Sequence, residues 1–215
     1  MNEQTPVQEG ARVRVFIDYW NFQLSLNHRE AEDLGQEDSR FKIDWQKFPQ
    51  WVAGQGASVA GISRYQYEGA IIYASYNPNT EADRKLKKWL ETWLNRQPGI
   101  QLDLRERQWK DPPRCPSCHE QINDCPHCKT PISATVEKGV DAAIVTDMIR
   151  LAWENVYDLA IIVSSDRDLV PAVKFIDLKG RKVIQAGFPP SGLHLATACW
   201  ASFDLFPLRE QFRRP

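Results

Sequence analysis

The run Asp158-Leu159-Ala160-Ile161-Ile162-Val163 leads straight into Ser164-Ser165-Asp166-Arg167-Asp168. Its apolar, β-branched composition predicts a strand buried on both faces, the kind found inside a parallel sheet. Two carboxylates spaced i, i+2 follow at its C-terminal end, the edge at which open α/β sheets bind ligands. A second apolar run, Val13-Arg14-Val15-Phe16-Ile17, also ends in a carboxylate, Asp18. Two buried strands delivering three acids to one edge point to a mostly parallel α/β architecture with a divalent-metal site.

The rest of the chain alternates in the same sense. Strands are expected at residues 12–18, 69–76, 99–106, 158–164 and 181–186, with a short last one at 203–206. Helices are expected at residues 20–28, 44–53, 81–95, 136–154 and 168–178, and a charged loop at 30–40. Pro49 argues against the second helix, whereas Pro171 is tolerated in a first turn. Thr80 is an expected N-cap and Gly180 an expected C-terminal stop. Strands alternating with helices imply right-handed βαβ units. One domain is expected over residues 12–206, with terminal tails at 1–11 and 207–215, an insertion at 111–132 that breaks the pattern, and no internal repeat.

A formal net charge of −1 over 215 residues gives no global attraction to a polyanion. Such a partner must be held by a local basic patch or by metal ions. No apolar N-terminal segment or long apolar run is present, which predicts a cytoplasmic, reducing setting without a membrane span. Five cysteines in that setting point to metal binding before disulfides.

A fourth acid, Asp141, precedes Ile144, Val145, Met148 and Ala152 by three, four, seven and eleven residues. It thus extends the apolar stripe of a helix and is expected to face the sheet, where a carboxylate needs a partner or a metal. Converging aspartates without histidine suit a hard cation, Mg²⁺ or Mn²⁺, as one ion or as a pair about 3.5–4 Å apart that acts on a phosphodiester. Each acid also has a plain structural reading: Asp18, Asp166 or Asp168 as a helix cap, Asp141 as complement to a helix dipole. Asp147, six residues past Asp141, is expected to be a solvated or capping acid.

Phe16-Ile17-Asp18-Tyr19-Trp20-Asn21-Phe22 resembles the opening motif of NYN domains, the LabA-like members of the PIN-like nuclease superfamily. Lys138-Gly139-Val140-Asp141, continuing to Asp147-Met148, is similar to their central helix motif. Ser164-Ser165-Asp166-Arg167-Asp168-Leu169-Val170-Pro171 resembles their Ser-Gly-Asp-Ser-Asp-Phe-Val-Pro signature, and Gly180 to Ile184 the strand that follows. The resemblance implies a Rossmann-like three-layer α/β/α sandwich and metal-dependent endoribonuclease activity on single-stranded or looped RNA. It carries over Asp18, Asp141, Asp166 and Asp168 as Mg²⁺ or Mn²⁺ ligands and Asn21 as an accessory polar residue. Ser165 stands where the family has Gly. Arg167 replaces a small polar residue and either contacts phosphate, weakens metal binding or faces solvent. The rival reading is a catalytically weak or inactive module that binds RNA or protein. A haloacid-dehalogenase phosphatase needs an acid where Trp20 stands, and no Walker-type loop is present.

Cys115-Pro116-Ser117-Cys118 and Cys125-Pro126-His127-Cys128 form a CxxC–x6–CxxC pair, which suits a structural Zn²⁺ closed by four thiolates. Either His119 or His127 can replace a thiolate. The insertion enters just before the Asp141 helix. It therefore either grips RNA through Lys110, Arg114 and Lys129, staples a long loop, or meets a partner protein or second copy. Arg84, Lys85, Lys87 and Lys88 cluster on one helix, where Arg84 and Lys85, with Lys138, Ser165 and Arg167, are candidate substrate contacts. Trp89 and Trp93 read as core. Tyr19 and Trp20 either pack or stack on a base. Cys199 reads as a semi-buried thiol, and Arg209, Arg213 and Arg214 as a solvated tail.

Overall fold

The computed structural model describes residues 10–132 and 134–215. In chain order the elements are β1 (Ala11–Asp18), α1 (Tyr19–Leu34), α2 (Phe48–Val59), β2 (Tyr65–Tyr76), α3 (Glu81–Thr92), β3 (Ile100–Glu106), β4 (Gln108–Lys110), β5 (Ala134–Val136) and α4 (Val140–Trp153). β6 (Leu159–Val163), α5 (Val170–Leu178), β7 (Lys182–Gly187), α6 (Leu193–Ala198) and β8 (Ala201–Asp204) complete the fold. Six strands form one sheet in the order β3-β2-β1-β6-β7-β8, each neighbouring pair parallel. β4 and β5 pair antiparallel in a separate ribbon.

The period of two along β1 divides the protein into its layers. Val13, Val15 and Ile17 point to one core with Phe22 and Leu26 of α1, Val52 and Ala57 of α2 and Leu90 of α3. Phe16 points to the other, with Ile144 and Met148 of α4, Val173 and Ile176 of α5 and Leu195 of α6. This is the expected α/β/α sandwich. Gly56 lets α2 lie close on the sheet: a Cβ there would meet Ile161 Cδ1 at 2.1 Å. At the N-terminal end of the strands, the Arg12 fork on Asp158 ties β1 to the start of β6, and Arg181 adds the start of β7.

Several boundaries differ from the sequence reading. α1 continues through the charged stretch to Leu34 and ends at Gly35, whose N–H reaches Ala31 O and Glu32 O. Glu30, expected in a loop, is buried in α1 because Arg209 and Arg213 both pair with it. α2 begins at Phe48, so Pro49 falls in its first turn and breaks nothing. α4 begins at Val140, because residues 134–136 are taken up by β5. α6 has no counterpart in the reading.

The C-terminal residues are not a solvated tail. Residues 206–212 form a 3-10 turn whose Phe212 is fully buried against Phe41, Phe48 and Trp51. Among the described residues, no helix is long and apolar enough to cross a membrane.

Candidate active site

The sheet grows from β1 through β2 to β3 on one side, then from β6 through β7 to β8 on the other. The crevice at that reversal, beyond the C-terminal ends of the strands, is the ligand position of such sheets. Ile17 is in register with Val163, so Asp18 emerges beside Ser164.

Asp18 is 4 % exposed. It caps α1, with Oδ1 accepting the Asn21 N–H at 3.2 Å, while Oδ2 accepts the Ser164 hydroxyl at 3.3 Å. The capping reading is thus true and leaves the acid at the crevice. Asn21 Oδ1 accepts the Ser165 N–H at 2.8 Å. Ser164 Oγ accepts the Asp166 N–H at 3.1 Å, and Asp166 Oδ1 accepts the Asp168 N–H at 2.9 Å. From β7, Gln185 Nε2 donates to Ser164 O at 2.9 Å. Gly192 packs beneath: a Cβ there would lie 2.8 Å from Ser165 Cα.

Burial, joined by the charges of Glu137 and Asp141, pushes the Asp18 carboxyl up to about 7 against the opposing Asn21 N–H and Ser164 hydroxyl. Burial also raises Asp141, together with the charges of Asp166, Glu137 and Asp168. Asp141 therefore lies within electrostatic reach of Asp18 on one side and of Asp166 and Asp168 on the other. No ion pair neutralises Asp18, Asp141, Asp166 or Asp168 among the described residues. Oxygen donors without a cation suit a hard divalent ion. Yet no three His, Cys, Asp or Glu side chains among the described residues converge as a metal-holding group.

Glu137 escaped the sequence reading. It hydrogen-bonds the Ser75 hydroxyl at the end of β2, which also accepts Arg107 Nε at 3.0 Å. Its only sequence signal was its place four residues before Asp141. Asp147 is neither solvated nor a cap: it accepts the Tyr73 hydroxyl at 3.0 Å and pairs with Arg150, because β2 presents Tyr73 beneath α4.

The candidate substrate contacts divide. Arg167 and Lys138 are exposed and without an ion pair among the described residues, while Ser165 Oγ is buried without a hydrogen-bond partner. Arg84 instead donates to Pro78 O at 2.9 Å, and Lys85 pairs with Glu81 at 2.7 Å. Tyr19 is buried and stacks on Trp45, and Trp20 donates to Ser75 O under the Arg107 guanidinium, so both pack. Trp89 and Trp93 stack on each other, with Trp93 partly exposed. Burial pushes the Cys199 thiol up to about 12.

The insertion contains a repeat that was not read from the sequence. Residues 113–122 and 123–132 are two ten-residue units of one design. In the first, Cys115 N–H reaches Glu120 O, His119 N–H reaches Cys115 O and Ile122 N–H reaches Pro113 O. In the second, Cys125 N–H reaches Thr130 O, Lys129 N–H reaches Cys125 O and Ile132 N–H reaches Asn123 O. His119 and Lys129 share φ 59°. Backbone N–H groups of Cys118 and Ser117 aim at the Cys115 sulfur and lower that thiol. The Thr130 hydroxyl and N–H lower Cys128 to about 7. The signal was Cys-Pro-Xaa-Cys recurring after ten residues, obscured because the flanking residues differ.

The family model for the NYN domain matches residues 12–204. None of the curated proteins compared with the chain matches it. A crystal structure of a protein of unknown function from Vibrio parahaemolyticus superposes with a TM-score of 0.53 at 15% identity, covering 94% of this chain and 96% of that one. That likeness concerns the fold alone.

Proposed function

The chain belongs to the NYN domain family of PIN-like nucleases, and on that premise we propose that it is a metal-dependent endoribonuclease cutting single-stranded or looped RNA. The observation that carries the reading is the set of acids without ion pairs among the described residues at the sheet reversal, where Ser164 joins Asp18 to the loop of Asp166 and Asp168 and where the charges of Asp166 and Asp168 reach Asp141. Those four residues would hold Mg²⁺ or Mn²⁺, which when bound supplies charge stabilisation at the phosphodiester.

The chain's own residues do the rest. Asn21 and Ser164 fix the Asp18 carboxyl and the loop carrying Asp166 and Asp168. Arg167 and Lys138 are free to approach phosphate. The two cysteine turns would share one structural Zn²⁺ through Cys115, Cys118, Cys125 and Cys128, a site with no open position for catalysis.

The test is RNA cleavage with Mg²⁺ or Mn²⁺ by the wild type, Asp18→Asn and Asp166→Asn. Turnover by the wild type and its loss in both variants supports the reading; an inert wild type, or variants that cleave equally well, overturns it. A second reading, a binding module without turnover, is favoured by the lack of three convergent metal-holding groups among the described residues. It predicts RNA binding that survives both substitutions.

A further inference from the structure

We infer that Trp109, on the ribbon that carries the cysteine insertion, is a stacking platform for an unpaired RNA base next to the acidic edge. This rests on the ribonuclease reading and names the feature of substrate that the site selects.

The ribbon is rooted in the site. β4 leaves one residue after β3 ends, and β5 returns directly into Glu137. Arg107 donates its N–H to Tyr76 O at 2.8 Å and its Nε to Ser75 Oγ at 3.0 Å, and its guanidinium lies 5.3 Å from the Trp20 ring centroid. Ser75 also bonds Glu137, whose charge acts on Asp18 and Asp141. Trp109 stands two residues beyond Arg107, about 7 Å along an extended strand.

Its indole is free. Trp109 is 60 % exposed and has no ring partner or overlying cation among the described residues. Two other exposed tryptophans differ: Lys179 lies 3.6 Å over Trp153, and Lys182 lies 4.1 Å over Trp200. An uncovered aromatic face suits a base, because every base has a π-face. Cations flank the indole. On the ribbon and at its ends Arg107, Lys110 and Lys138 stand against Glu106, Asp111 and Glu137, and of these acids Glu106 is engaged by the Tyr76 hydroxyl and Glu137 by Ser75. A base within a duplex offers no free face to an indole, so the occupant is single-stranded.

The experiment measures fluorescence anisotropy of labelled oligoadenylate, an abasic ribose-phosphate oligomer of equal length and an RNA duplex. Full-length wild type, Trp109→Ala and Trp109→Phe are compared in EDTA, with matching far-UV spectra as the folding control. Trp109→Ala weakens oligoadenylate binding about tenfold, Trp109→Phe retains most of it, and abasic and duplex binding do not change. Equal loss on the abasic oligomer, no loss on oligoadenylate, or no oligoadenylate binding by the wild type overturns the inference. Cleavage by the wild type is scored separately. A wild type that never cleaves but loses oligoadenylate on Trp109→Ala removes the nuclease reading and leaves the platform; one that cleaves while Trp109→Ala binds normally does the reverse.

Discussion

Asn21 Oδ1 accepts the Ser165 N–H at 2.8 Å, joining the first turn of α1 to the loop after β6 across the two central strands. The same residue's N–H is accepted by Asp18, so one asparagine sets the spacing between two sources of acid. Asn21→Ala removes the acceptor and leaves a partly buried donor without its partner, at about 1 kcal/mol. The expected loss in melting temperature is about 2–4 °C. RNA cleavage should fall further than stability does, about tenfold to a hundredfold, because Asp166 and Asp168 ride on the released loop. A melting curve and a single-turnover cleavage rate on the same preparation check both.

Asp18 makes stability fall as pH rises. Its carboxyl is raised from 3.8 to about 7 by burial, with Glu137 and Asp141 adding to the effect. Below about pH 4 it is protonated in both states and carries no penalty. Between there and about pH 7 the unfolded chain releases a proton that the native state keeps, and linkage then lowers stability, by about 4 kcal/mol at most. Asp18→Asn retains an acceptor for the Asn21 N–H and cannot ionise. In metal-free buffer it should melt above the wild type at pH 8, with the gap closing toward pH 4. Mn²⁺ should raise the wild-type melting temperature at pH 8 and leave Asp18→Asn nearly unmoved.

The architecture was legible because it depends on short-range pattern. The runs ending in Asp18 and Val163 are central strands, and the helix carrying Asp141 shows its apolar period in Ile144, Met148 and Leu151. What escaped depends on contacts distant in sequence. Glu30 reads as a loop acid until Arg209 and Arg213, some 180 residues later, pair with it. Glu137 reads as an ordinary surface acid until Ser75 of β2 reaches it. Asp147 reads as solvated until Tyr73 is placed beneath it. Strand and helix periods carry no information about which polar groups meet across layers.

The tandem cysteine turns predict one tightly held zinc ion per chain, measured by elemental analysis after exhaustive dialysis. Cys115→Ser and Cys128→Ser, one from each turn, should each abolish it. The main melting transition should move little, since the six-stranded sheet pairs without the insertion. Retention of zinc in either variant would mean that the two turns do not share an ion.

Phe212 and the two arginines beside it should behave as core, not tail. Phe212→Ala opens a cavity among Phe41, Phe48 and Trp51, for which about 3–5 kcal/mol is expected, or roughly 6–20 °C. Arg209→Ala and Arg213→Ala each leave Glu30 one partner. The double variant leaves a buried carboxylate with neither, so its urea midpoint should fall by more than the two single shifts together.

Gly192→Ala separates backbone strain from pressure on the site. Gly192 has φ +77° and its Cβ would lie 2.8 Å from Ser165 Cα, whereas Gly180 has φ +73° with nothing within 4 Å. Alanine at either position bears a similar left-handed strain, about 1–2 kcal/mol. Only at 192 does the methyl push on the residue that Asn21 holds and that precedes Asp166. Gly180→Ala should therefore lower the melting temperature by about 2–8 °C with cleavage intact. Gly192→Ala should lower it further, by the overpacking of a tight contact, and should also reduce the cleavage rate. Equal rates in the two variants would show that the loop absorbs the methyl without moving its acids.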